Sequence, residues 1–161
     1  MVNQLISPSG IVVCVGAIVL KDEQILFVRQ AEGHSLEKQW TIPWGFVEPG
    51  EAPEEAIIRE VQEESGVSSE VQGLLGIQNL PMPWNGWISI IFQCRHISGI
   101  PRSDGGRETD RAGYFTLEEL LKFEDEIEIW CAWLAERVLT GTPKLIPPEP
   151  MNPYSPKIAF L

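Results

Sequence analysis

Cysteine is scarce in this chain. There are three among 161 residues, Cys14, Cys94 and Cys131, far apart and without a C-x-x-C pair. So small and odd a set argues against a disulfide framework. The apolar neighbours of Cys14 and Cys94, and Trp130 before Cys131, point to buried reduced thiols. Histidine is scarcer still: His34 and His96 have no partner spacing that would build a zinc site. Cationic side chains are also few, 12 Lys and Arg against 23 Asp and Glu, for a formal net charge of -11. A general nucleic-acid binder, or a protein drawn to an anionic membrane surface, needs a basic footprint that this composition does not supply. Long apolar runs are missing too. The longest, Ile11 to Leu20, is about half the roughly 18 residues that span a bilayer. No basic segment precedes it and Lys21-Asp22-Glu23 follows directly, so it does not read as a signal peptide. A reducing cytoplasm is the expected location.

What is present suits one globular domain: 43% hydrophobic and 22% charged residues in a length that favours a single core. Ile11 to Leu20, rich in Val and Ile, predicts a buried strand, and with Ile25 to Gln30 across a polar break it predicts a β-hairpin. Residues 31–39 read as a loop, Trp40 to Pro43 as a short extended piece, and Gly45 to Glu51 as a turn-rich loop. Ala52 to Ser65 predicts a helix, with Pro53 in its first turn and Gly66 as its C-terminal cap. Val67 to Leu80 reads as one or two strands bent at Gly73 and Gly76, and Pro81 to Gly86 as a loop. Trp87 to Ile97 predicts a further strand, Ser98 to Arg111 a flexible loop, and Ala112 to Thr116 a short strand. Thr116 and Glu119 have capping-box spacing ahead of a turn over 117–121. Asp125 to Leu139 predicts a second helix that packs through Ile129, Trp133 and Leu134. The alternation of strands and helices gives an α+β fold, a mixed sheet with helices around it, over residues 1–140. Six prolines mark 141–161 as a separate tail that runs extended over the surface. Its apolar end, Ile158 to Leu161, is suited to docking on the domain or on a second subunit.

The acid surplus is not spread evenly. Gly45 to Val67 holds Glu48, Glu51, Glu54, Glu55, Glu60, Glu63 and Glu64 against the single base Arg59. On a helix Glu60, Glu63 and Glu64 stand at i, i+3 and i+4, so the spacing predicts three carboxylates on one face. Like charges so placed repel, and a bound cation would turn the repulsion into a ligand set. Hard oxygen donors suit Mg2+ or Mn2+, and Mg2+ commonly takes substrate phosphate as a further ligand.

The frame around these acids is G-x5-E-x7-R-E-U-x-E-E-x-G-U, with U aliphatic, and it is matched at every position from Gly45 to Val67. The chain thereby resembles the Nudix hydrolase superfamily. Trp40-Thr41-Ile42-Pro43 and the Tyr114 to Leu120 segment are similar to the usual Nudix context. The resemblance implies an α/β/α sandwich and hydrolysis of a nucleoside diphosphate linked to another moiety, with Mg2+ or Mn2+ as cofactor. By position, Glu60, Glu63 and Glu64 are then metal ligands, Glu51 an accessory ligand, the Gly45 carbonyl a further donor, and Arg59 the organiser of the carboxylates. The proton of the attacking water goes to Glu64 or Glu63, or to Glu108 or Asp110 from the Ser98 to Arg111 loop. Trp44 stands where many relatives have glycine, and it either stacks on a base or packs under the loop. Trp84 and Trp87 are candidates for a nucleobase platform. Pro81, 15 residues after Gly66, resembles the ADP-ribose pyrophosphatase subgroup. The expected partner is a small nucleotide. Dimerisation, common in this family, is compatible with the apolar tail end. The alternative is a Nudix-fold module that binds a nucleotide without cleaving it, for which a degenerate box would be the mark.

Overall fold

The computed structural model describes residues 11–80, 86–123 and 126–161. Pro81, Trp84 and Asp125 lie outside them.

Strand β1 (Val12–Lys21) turns tightly into β2 (Gln24–Gln30), pairing Leu20 with Ile25 and Lys21 with Gln24. The sheet order is β3 (Trp40–Thr41), β2, β1, β6 (Trp87–Ser98), β5 (Ser68–Asn79). Strand β4 (Trp44–Phe46) pairs with β1, and β7 (Thr109–Phe115) pairs with β2. All pairs are antiparallel except β1 with β6, which run parallel from Val12 opposite Trp87 to Leu20 opposite Arg95.

The sheet is mixed and buried on both faces, as the unbroken apolar run of β1 requires. Val15, Ala17 and Val19 point to one face, where they meet Ala56, Ile57 and Val61 of helix α1 (Pro53–Ser65). Ile18 points to the other face, with Ile25, Phe27 and Ile91, beneath α2 (Leu117–Leu120) and α3 (Ile129–Thr140). This is a three-layer α/β/α sandwich. Trp40 is core, stacked on Phe123 at 5.4 Å. The three cysteines are buried and free. Among the described residues no helix is long and apolar enough to cross a membrane.

Several elements depart from the sequence expectation. β4 falls where a turn-rich loop is predicted, because its three residues gain their order by pairing with β1 rather than from local propensity. Strand β5 is one 12-residue element whose register shifts between Val71 and Gly73 and between Leu74 and Gly76. Strand β7 begins at Thr109, inside the segment expected to be a loop. Helix α3 is capped at Glu128, whose carboxylate accepts from the Cys131 N–H at 2.8 Å. Its buried stripe is Cys131, Leu134, Ala135 and Val138, so Ile129 and Trp133 are exposed instead of packed. The tail folds back on the domain. Ile146 and Leu74 exchange backbone hydrogen bonds of 2.8 and 2.9 Å, β8 (Pro148–Glu149) pairs with β9 (Ala159–Phe160), and Phe160 meets Phe92 at 5.4 Å. Gly73 permits this approach, since a Cβ there would come within 2.8 Å of the Ile146 carbonyl.

Candidate active site

Helix α1 begins at Pro53, where a missing N–H costs nothing, and Glu55 accepts from the Ala52 N–H at 2.8 Å. It ends at Gly66 in the left-handed region, φ 70°. Both signals are local, so the ends of the helix that carries the glutamates are marked by its own sequence. The three acids do not share one environment. Glu60 and Glu64 are buried, 6% and 2% exposed, whereas the Glu63 side chain is 59% exposed. At 100° per residue, Glu60 and Glu64 are about 40° apart and Glu63 stands about 100° from Glu64, which puts it on the rim.

Gly45 of β4 lies against Glu60 so closely that a Cβ there would run into the carboxyl group. The residue is glycine for this approach; its backbone is ordinary strand. The preceding amide, Trp44 N–H, donates to Glu64 Oε2 at 2.9 Å. Arg59 gathers the other acids. Its guanidinium donates to Glu51 through both Nε and Nη2 at 2.9 Å, to Glu60 at 2.7 Å, to Glu63 at 3.1 Å, and to the Phe46 carbonyl at 3.0 Å. Glu51 is thereby held below the usual carboxylate range. Burial pushes Glu60 up to about 7 against the opposing pull of Arg59, with the charges of Glu108 and Glu63 adding to the rise. Burial also pushes Glu64 well up, and Glu60 and Glu108 add to it.

Glu108 directly precedes Thr109, whose hydroxyl is bonded to the Glu64 backbone carbonyl, and its charge adds to the rise of both buried acids. Its side chain is exposed and makes no ion pair among the described residues. Asp110 is differently placed, with both oxygens on Arg29 at 2.7 and 2.8 Å.

Sequence reasoning missed three supports. Gln30 is buried, donates to Thr41 Oγ1 at 3.0 Å, and its amide weakly offsets the burial-driven rise of Glu64. Its signal was an amide two residues beyond the apolar run Ile25 to Val28. Thr109 Oγ1 donates to the Glu64 backbone carbonyl at 2.7 Å, across 45 residues, and nothing local announces it. Asp104 shapes the loop before β7; Asp-Gly-Gly was its signal, as an Asx turn.

The other face of β4 opens on a cleft of about 620 Å3 between the sheet and α3. Trp44, Trp87, Trp130 and Trp133 line it, with Ile42 and Leu80. Trp44 is half-buried, and its indole N–H is buried with no partner among the described residues. Phe46 lies edge-on to both Trp44, at 5.9 Å, and Trp87, at 5.2 Å. Trp44 therefore belongs to both regions, its amide to Glu64 and its ring to the cleft.

Four glutamates, a single arginine and a glycine backbone pressed on Glu60 form a donor set suited to a hard divalent cation. Among the described residues no three acidic, histidine or cysteine side chains converge as a ready-made cage. Arg59 instead draws Glu51, Glu60 and Glu63 to itself.

The model of the NUDIX domain family matches residues 10–134. The chain is 36% identical over 112 residues to an ADP-ribose pyrophosphatase of Methanocaldococcus jannaschii, covering 68% of this chain and 64% of the relative. It is 33% identical over 108 residues to putative nudix hydrolase 1 of Caenorhabditis elegans, covering 65% of this chain and 28% of that one. The chain thus spans less than two thirds of the length of each. A NUDIX hydrolase structure from Nitrosomonas europaea superposes with a TM-score of 0.72 at 23% identity, over 84% of this chain and 93% of the other.

Proposed function

This chain belongs to the NUDIX domain family, and from that footing we propose that it is a divalent-metal-dependent pyrophosphohydrolase. Its substrate is a nucleoside diphosphate linked to another moiety, with ADP-ribose or a nucleotide sugar ahead of a nucleoside triphosphate. The observation that carries the reading is the pair Glu60 and Glu64, buried side by side against β4, the strand whose Trp44 ring lines the aromatic cleft. The ADP-ribose pyrophosphatase of M. jannaschii supports the substrate order.

Glu60 and Glu64 would hold Mg2+ or Mn2+, with Glu63, Glu51 and the Gly45 carbonyl as further donors. When bound, the cation neutralises diphosphate charge and acidifies a water. Arg59 holds three of the carboxylates in place. The cleft takes the uncharged nucleoside end through Trp44 and Trp87, which leaves the diphosphate over the carboxylates. Water oxygen attacks one phosphorus, the P–O bond of the anhydride breaks, and the proton passes to Glu108. Two phosphomonoesters leave when the substrate is ADP-ribose. Glu108 is preferred as base because Asp110 is committed to Arg29 and Glu63 to Arg59.

The test is a panel of ADP-ribose, nucleotide sugars, dinucleotides and nucleoside triphosphates with Mg2+ or Mn2+, read by phosphatase-coupled phosphate release. Turnover of at least one member, abolished by EDTA, is expected. Tight binding of a member with no turnover of any would leave the non-cleaving module as the answer.

A further inference from the structure

The segment Ser98 to Arg111 reads from sequence as a flexible flap, yet in the structure it is pinned at several points. Arg102 N–H donates to the Ser65 carbonyl at 2.8 Å, and Thr109 Oγ1 to the Glu64 carbonyl at 2.7 Å, so both ends of the turn hang on the C-terminus of α1. Ala31 N–H donates to the Glu108 carbonyl at 2.8 Å, and a His34 ring nitrogen contacts the Arg107 carbonyl at 2.8 Å. Between these anchors the chain turns through Gly105 and Gly106, both at φ +88°. One side chain fills the turn. The Asp104 carboxylate accepts from four successive amides: Gly106 at 3.1 Å, Arg107 at 2.9 Å, Glu108 at 2.9 Å and Thr109 at 3.2 Å. An ionised carboxylate that collects this many backbone N–H groups makes charge-assisted bonds, about twice as strong as neutral ones. Two of them end on the residues that matter to the site. The Glu108 amide fixes where the Glu108 side chain starts, and Thr109 is the residue bolted to Glu64.

We propose that Asp104 is a positioning residue for catalysis: by closing the 104–109 turn on its carboxylate it fixes Glu108, next to the Thr109 that is bonded to Glu64, at the end of α1 that carries the buried acids. This rests on the reading above that Glu108 takes the proton of the attacking water. Without Asp104 the two glycines would free the turn, and Glu108 would sample positions away from the buried pair. Small misplacements of a reacting group are costly, on the order of a hundredfold for about 1 Å.

A double-mutant cycle on the full chain tests it, with ADP-ribose and Mg2+ as the probe. Asp104→Ala is expected to lower kcat about 10- to 100-fold while changing KM less than about threefold. In a Glu108→Gln background the same change should alter kcat by less than about twofold, because there is no longer a base to misplace. Asp104→Asn, which keeps one acceptor oxygen, should recover part of the loss. An equal kcat loss in both backgrounds, or none in either, overturns the role of Asp104. A Glu108→Gln variant as active as wild type, or no turnover by wild type, overturns the underlying reading instead. A second readout needs no turnover. The three native cysteines are buried, so Glu108→Cys takes a nitroxide selectively, and its distance to bound Mn2+ is read by electron paramagnetic resonance. A narrow distribution that broadens with Asp104→Ala is expected. An unchanged distribution overturns the proposal, and absence of Mn2+ binding overturns the metal site.

Discussion

The Trp44 backbone N–H donates to Glu64 Oε2 at 2.9 Å, while the indole of the same residue lines the aromatic cleft. One residue of one short strand thus touches both halves of the site. Its two contacts are separable by mutation, since the amide survives any substitution except proline.

Trp44→Gly removes the ring and keeps the amide. It is expected to raise KM about tenfold for the preferred nucleotide, the value of one lost stacking contact, with little change in Mn2+ affinity. Steady-state kinetics and a Mn2+ titration by paramagnetic resonance check this. An equal loss of metal affinity would show that the indole supports the carboxylates and not the substrate.

Glu64→Gln retains an oxygen to accept the Trp44 N–H but removes a charge that burial disfavours. Turnover should fall by about three orders of magnitude or more. The metal-free variant should melt no lower than wild type at pH 8. Calorimetry in EDTA beside the activity assay decides; unchanged turnover would refute the assignment.

The pH dependence of metal-free stability follows from Glu60. Its folded value, about 7, lies above its ordinary 4.5, so the folded state holds the proton more tightly than the unfolded chain. This contribution is complete below 4.5 and is lost as pH rises through about 7. In EDTA, Tm should therefore fall between those values. At pH 8, Mg2+ should restore it in proportion to the logarithm of its concentration. A profile flat across that window, with no Mg2+ response, would contradict both the burial and the site.

Gly45→Ala places a methyl group into the Glu60 carboxyl. The cost of overpacking is about 1–3 kcal/mol, and Mg2+ should no longer raise Tm as it does in wild type. Thermal melts with and without Mg2+ measure both.

Removal of residues 142–161 strips Ile146 from the edge of β5 and Phe160 from Phe92. An uncovered edge strand pairs with other chains. The truncated protein should melt lower and aggregate more than the full chain, as read by light scattering.

Features encoded in neighbouring residues were readable from the chain alone. The β1–β2 hairpin, the helix from Pro53 to its Gly66 cap, the Thr116–Glu119 box and the complete motif from Gly45 to Val67 were all legible, because turn chemistry, capping and helical spacing act over a few positions. Tertiary structure decided which of the acids are buried, since burial depends on what β4 and the sheet place against α1. It also ordered β4 through β1, exposed Ile129 and Trp133, and drew four tryptophans into one cleft. It bound Asp110 to Arg29 across 81 residues and tied Thr109, next to Glu108, to the Glu64 carbonyl across 45. Those outcomes are contacts between distant segments, and no local pattern encodes a contact whose partner lies elsewhere in the chain.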